Sequence, residues 1–251
     1  MSDRFSQFPL IVWLLCIYCV CVGTTLSWHA LWLDEVTTER VIQYDWGPLI
    51  NNRASAGHPP LFFMVEKLWC SVWGHSAFSL RAIPFLFGGL TLIVVYRLVS
   101  RLFSNSAAMG ACLVFGFSPA QLCISQMARS YSLLQFLIVT NTWMIARSTR
   151  FRWQEMIVSC LLAGLATYTH GQAFLWLPVL VISILVCYPE KWRFAAAIGI
   201  GLASYYPFAV FYGETLRLAS HAVLVPKISL NEYFVLPARL YMGSYLGDMH
   251  R

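Results

Sequence analysis

The sequence predicts an all-α polytopic membrane protein with about seven transmembrane helices and amphipathic helices in a long first outer loop. Composition is the first reason: of 251 residues 59% are hydrophobic and 11% charged, against about 45–50% apolar and roughly 25% charged in soluble domains. The second is the recurrence of apolar runs close to the roughly 20 residues that a spanning helix needs. The third is the alternation of basic and non-basic short loops between those runs, expected because Lys and Arg are retained on the cytoplasmic side.

The first run extends from about Phe8 to Trp28. It is longer than a signal-peptide core and has no small-residue cleavage site, so it reads as a retained span. Further runs lie near Phe78 to Val99, Ser106 to Ile124, Tyr131 to Ala146, Met156 to Tyr168, Ala173 to Tyr188 and Phe194 to Tyr212, some short enough to be tilted or broken. Arg97 and Arg101, then Arg147, Arg150 and Arg152, then Lys191 and Arg193 fill one set of loops, whereas the alternate set holds Arg129 and nothing basic from Thr169 to Gln172. This alternation predicts a cytoplasmic N-terminus and a long outer segment after the first span.

The formal charge of +6 comes from 17 Lys and Arg scattered between apolar runs, with no basic stripe of the kind nucleic acid requires. Most of the eight cysteines lie inside apolar runs, where a thiol packs as a small hydrophobe. Cys16-x-x-Cys19 has a metal-like spacing but no second ligand pair, and core packing is the better reading.

The outer segment, about residues 29–77, collects Asp34, Glu35, Glu39, Asp45 and Glu66 out of eleven acidic residues. Asp34 and Glu35 follow directly on Trp28 to Leu33, where the first span leaves the bilayer, and a carboxylate there suits a general base. Glu35 reads either as a partner behind Asp34 or as a first-turn acidic residue favoured by the helix dipole. Beyond His58-Pro59-Pro60, an amphipathic helix is expected over Leu61 to Trp73. Leu61, Val65, Leu68, Trp69 and Val72 share its apolar face, with Glu66, Lys67 and Ser71 opposite.

Five motifs follow in order: Leu31-Trp32-Leu33-Asp34-Glu35; His58-Pro59-Pro60-Leu61; Ser79-Leu80-Arg81-Ala82-Ile83-Pro84 opening a span that ends Tyr96-Arg97 to Arg101-Leu102-Phe103; Ser125-Gln126-Met127-Ala128-Arg129-Ser130-Tyr131; and Tyr168-Thr169-His170. In this order the sequence resembles the GT-C glycosyltransferase superfamily, nearest the branch of ArnT, the protein O-mannosyltransferases and RgtA to RgtD. The resemblance covers roughly Trp28 to Tyr188. It implies transfer of a sugar from a polyprenyl phosphate to a glycan, lipid or protein acceptor outside the cytoplasm, in the plasma (inner) membrane, by one inverting displacement. The matching acidic residue of the first outer loop, the base in such enzymes, falls on Asp34.

The chemistry of such a step needs cationic or N–H donors at the leaving phosphate. Arg129 offers a bidentate fork, with Tyr131 and His58 as further donors. His170 is a candidate for phosphate, acceptor or a divalent metal ion, and Arg81 for phosphate or for snorkelling at a span's start. Relatives commonly carry Gln-Glu-Ala-Arg where this chain has Gln126-Met127-Ala128-Arg129, and they are longer. On that basis residues 1–215 are expected to form the GT-C-like module and residues 216–251 a tail at the start of a missing region. The alternative is a lipid-linked-sugar binding or partner protein without turnover. A transporter is disfavoured, since the apolar runs lack central ionisable residues and show no repeat.

Overall fold

A computed structural model describes residues 8–148 and 152–213. The tail at 216–251, Arg150 and the N-terminal residues 1–7 lie outside the described residues. Within them the chain is helical throughout, with no strand. The helices are α1 (Phe8–Gly23), α2 (Leu33–Ile42), α3 (Trp46–Ser55), α4 (Leu61–Trp73), α5 (Ala77–Leu102), α6 (Asn105–Gly116), α7 (Pro119–Ser125), α8 (Tyr131–Arg147), α9 (Trp153–Thr169), α10 (Ala173–Cys187), α11 (Trp192–Ala203) and α12 (Tyr206–Phe211).

Local chemistry sets several boundaries. Ser76, Ser104 and Ser118 cap α5, α6 and α7, their hydroxyls accepting the N–H groups of Ser79, Ala107 and Gln121 at 3.1, 3.1 and 3.2 Å, which satisfies donors a helix start otherwise leaves orphaned. Gly74 ends α4 with φ at 79°, a conformation that glycine adopts without strain.

Every apolar run of the sequence coincides with a helix or a pair of helices, but the count of seven full spans is not reached. Among the described residues, two stretches are long and apolar enough to cross a membrane, Ala77–Leu102 and Trp192–Phe211. A third arises if α6 and α7, bent by 67° at their junction, act as one broken span. The bend has a cause in the sequence, because Pro119 starts a new helix directly after the Ser118 cap. The helices of 15 to 17 residues (α1, α8, α9 and α10) fall short of roughly 20 residues. Trp13, Val20, Val114, Leu175, Val186 and Phe211 are nevertheless exposed, as expected where lipid is the solvent.

Helices α5, α8, α9, α10 and α11 form a bundle, and α2 to α4 lie across one end of it. Val41, Ile42, Leu49, Phe62 and Phe63 from the crossing helices pack in one core with Leu80, Ile83, Ala128, Leu133, Leu137, Ala163, Ala166, Leu177 and Ile198. Inside the bundle Ser159 Oγ donates to Asn141 Oδ1 at 2.7 Å, a buried pair joining α8 to α9, the kind of polar contact that locks helices in an apolar medium. Helices α9 and α11 approach closely through small residues. A Cβ added to Gly201 would collide with the Cys160 carbonyl oxygen and stand 2.7 Å from Ala163 Cβ.

The orientation of α4 departs from expectation. The helix spans Leu61–Trp73 as the pattern predicts, and Leu68, Val72 and Trp73 are exposed. One residue of its polar side, however, faces protein and not water: Glu66 is 0% exposed alongside Phe62, Phe63 and Cys70, whereas Ser71 is exposed. Both Glu66 carboxyl oxygens are without a hydrogen-bond partner, and burial pushes the group well above the usual carboxylate range, because an apolar surrounding disfavours the charged form. Lys67 wraps round to the carbonyl oxygens of Ile42 and Tyr44 at 3.0 and 2.8 Å, satisfying acceptors around the end of α2.

Gly201→Ala tests the close approach of α9 and α11. The added methyl meets the α9 backbone at Cys160 and Gly164, so a loss of about 1–3 kcal/mol is expected, read as a lower unfolding temperature in detergent. An unchanged midpoint would show that the two helices do not touch there.

Candidate active site

The site is assembled at the end of the bundle covered by α2 to α4. Its scaffold is a buried ion pair between Arg81, on the first turns of α5, and Glu35, on the first turn of α2. Arg81 Nε donates to Glu35 Oε1 at 2.9 Å and Nη2 to Oε2 at 2.6 Å. The remaining guanidinium hydrogens go to the carbonyl oxygens of Leu26, His29 and Ala30 at 2.7, 3.0 and 3.1 Å. All five donors of Arg81, a residue expected to contact phosphate or to snorkel, are therefore engaged within the chain.

Glu35 is equally committed. Its Oε2 also accepts the Trp32 N–H at 3.3 Å, one half of a capping box, and its Oε1 accepts the Ala128 N–H at 2.9 Å. The Thr38 hydroxyl reaches the Ala128 carbonyl oxygen at 3.1 Å. Ala128 is thus gripped on both backbone groups by α2. At 1% exposure Glu35 is enclosed, with both carboxylate oxygens engaged by Arg81 and by main-chain N–H groups.

That grip places Arg129 against Asp34. The residue before Glu35 emerges from the other side of the helix, and Arg129 Nη2 stands 3.7 Å from Asp34 Oδ2. Asp34 is 47% exposed and Arg129 11%, so the carboxylate is open to a substrate while the guanidinium lines the wall. Met127, where relatives have a glutamate, is half-buried, with the Cys123 thiol 3.4 Å from its sulfur.

The two histidines of the motifs converge on the same place. His58 is held by its N–H on the Arg53 carbonyl oxygen at 2.9 Å, at the end of α3. Burial, then the charges of Arg129 and Arg53, bring its imidazole down to about 4, with Asp34 opposing. Burial and Arg129 lower His170 in the same direction. The Tyr131 ring lies 4.9 Å from that of His170, and His170 Nδ1 accepts the Gln172 N–H at 3.1 Å. This bond fixes the neutral tautomer that carries its proton on Nε2.

Asp34, His58, Arg129, Tyr131 and His170 are therefore neighbours. Arg53 is the residue the motifs do not single out. The signal was available, since it is a basic residue outside the cytoplasmic set, the property that draws attention to Arg129. On the outer side of α3 a cleft of about 520 Å³ is lined by Tyr44, Pro48, Asn51, Asn52, Ser55 and Tyr212. Among the described residues there is no group of three or more His, Cys, Asp or Glu side chains placed to hold a metal ion.

The opposite end of the bundle gathers the other basic set. The Arg97 and Arg147 guanidinium groups lie 5.8 and 4.7 Å from the Trp143 ring centroid, and Lys191 Nζ donates to the Ile145 carbonyl oxygen at 2.8 Å.

Two expectations follow from this geometry. Glu35→Ala strands the buried Arg81 charge and should cost about 3–5 kcal/mol, measured by unfolding in detergent; a loss under ~1 kcal/mol would mean the pair is dispensable. The second concerns pH. The unfolded chain protonates His58 near its ordinary value of 6.5 and the folded chain only near about 4, so stability falls as pH drops from 6.5 towards 4 and levels off below. His58→Asn should flatten that slope, leaving the smaller share due to His170, and an unaltered slope would contradict it.

A family model described as dolichyl-phosphate-mannose-protein mannosyltransferase matches residues 57–213, more than half of the chain. The match includes His58, Arg81, Arg129, Tyr131 and His170, and begins after Asp34 and Glu35. No curated protein and no solved structure gives a significant match. The chain belongs to the dolichyl-phosphate-mannose-protein mannosyltransferase family and is a membrane glycosyltransferase of the GT-C type.

Proposed function

We propose that this chain transfers a sugar from a polyprenyl-phosphate donor to an acceptor hydroxyl on the non-cytoplasmic face of the plasma (inner) membrane, with inversion at the anomeric carbon. The observation that carries this reading is the Asp34–Arg129 pair: a half-exposed carboxylate 3.7 Å from a guanidinium that is almost wholly enclosed. The reaction needs a base for the acceptor and a cation for the leaving phosphate, and these two residues offer both at one site.

In the step proposed, the acceptor O–H gives its proton to Asp34 as its oxygen attacks the anomeric carbon. The bond from that carbon to the phosphate oxygen breaks, and the phosphate keeps the electron pair. Charge then grows on the phosphate, where Arg129 forms charge-assisted hydrogen bonds. His170, neutral and with its proton on Nε2, is a further donor, and so are His58 and the Tyr131 hydroxyl. The cleft beside α3, with its amides and tyrosines, suits the hydroxyls of a glycan acceptor. The gathering of Arg97, Arg147 and Lys191 at the far end supports a cytoplasmic placement of that end and an outer placement of the site.

Asp34→Asn keeps the shape and removes the base, so transfer from a polyprenyl-phosphate sugar should fall by about 10²–10⁴-fold while insertion and unfolding temperature are retained. Arg129→Lys should recover only part of what Arg129→Gln loses, because a lysine cannot form the two-pronged contact. Full transfer by the Asp34→Asn protein would exclude this assignment. Donor binding by the wild type without any product would favour a binding protein, the reading that Met127 recommends.

A further inference from the structure

The end of α8 and the start of α9 enclose a cavity at the opposite end of the bundle from the candidate active site. It measures about 330 Å³, within the roughly 300–1,000 Å³ of small-ligand sites. Thr140, Trp143 and Arg147 line it from α8, and Arg152, Gln154 and Glu155 from the start of α9. The Arg147 guanidinium carbon stands 4.7 Å from the Trp143 ring centroid, and that of Arg97 approaches the same ring at 5.8 Å. Arg147 Nη2 lies 3.5 Å from Glu155 Oε1, and Glu155 Oε2 accepts the Ser148 hydroxyl at 2.7 Å. One carboxylate thus answers two lining arginines, because among the described residues Arg152 takes part in no ion pair. Its side chain does not cap α9 either, which leaves that helix start open to an anion.

A second observation is independent of charge. Thr140 Oγ1, on the cavity wall, is buried and has no hydrogen-bond partner among the described residues. Thr91, Thr142 and Thr169, also within helices, donate to the carbonyl oxygens four residues back at 2.7, 2.9 and 2.7 Å, the common outlet for a helical hydroxyl. Thr140 does not, so its hydroxyl is left for a group that enters the cavity. A third observation gives the ligand a tail. Val158 lines the cavity and opens an exposed apolar stripe on α9 with Leu161 and Leu165, flanked by Ile157, at the three- and four-residue spacing of one helix face. An inorganic anion has no use for that stripe, whereas an acyl chain does.

We infer that this cavity seats the headgroup of an anionic phospholipid from the leaflet opposite the candidate active site. The phosphodiester faces Arg147 and Arg152, the Thr140 hydroxyl is a further donor, and an acyl chain follows Val158, Leu161 and Leu165. Basic pockets between helices at a membrane surface suit such headgroups. The lipid would join α8 to α9, the two helices whose other ends carry Tyr131 and lead into His170. No residue of the candidate active site takes part, so the inference stands apart from the transfer reading.

The test uses the full chain in a neutral detergent and follows its unfolding temperature as lipid is added, since a ligand of the folded state raises it by mass action. Dioleoylphosphatidylglycerol should raise the midpoint saturably. Dioleoylphosphatidylcholine, with the same chains and no net charge, should not, and neither should glycerol phosphate, which lacks the chains, at the same concentration. The double variant Arg147→Gln with Arg152→Gln should need roughly tenfold more phosphatidylglycerol for half of the effect, and Thr140→Val about fivefold more. Arg101→Gln, at the same end but outside the cavity, should respond as the wild type does. Equal shifts with the two phospholipids, an equal shift with glycerol phosphate, or a loss in Arg101→Gln as large as that of the double variant overturns the inference. Should the double variant not fold, Thr140→Val decides, because it keeps the shape of the side chain: an unchanged half-saturation there removes the headgroup from this cavity.

Discussion

The contact between Glu35 and Arg81 organises everything at the covered end of the bundle. A carboxylate and a guanidinium are tolerated at this depth only when every lone pair and proton is occupied, and here the occupants come from four separated stretches of chain: the exit of α1, the start of α2, the start of α5 and the loop before α8. None of those stretches is long enough to fix its own position. Through this one pair they acquire a common frame, and the exposed Asp34, a single residue away from the buried Glu35, inherits its location from it.

The electrostatics of the site follow from the same enclosure. Imidazoles near two guanidinium groups lose their protons, so they contribute hydrogen-bond direction without adding positive charge. The permanent cations therefore set the field, and the neutral rings set the geometry. With its imidazole down at about 4, His58 stays neutral at physiological pH, and His170 is displaced in the same direction.

Helix positions were readable from the sequence because apolar runs and punctuating Ser, Pro and Gly residues are local signals. The order of the motifs also placed Asp34, His58, Arg129, Tyr131 and His170 at one site. What could not be read was which way each side chain turns. Glu35 and Asp34 are adjacent in sequence, but about 100° apart around the helix, and only the long-range partners Arg81 and Ala128 decide which is structural. Glu66 was placed on a wet face because polarity alone marks it, yet the core beneath α4 receives it. The break at Pro119 escaped the sequence reading for a related reason, since hydropathy registers the apolar run as a whole without showing the 67° bend inside it.

The second outer loop is held by the amide and the carbonyl of Ala128, groups that every residue but proline possesses. Attachment through the main chain leaves the neighbouring side chains unencumbered. Position 127 can then vary without moving Arg129 from its place beside Asp34. The loop behaves as a socket with a fixed pin, its flanking side chains free to change while the main chain between them stays in register.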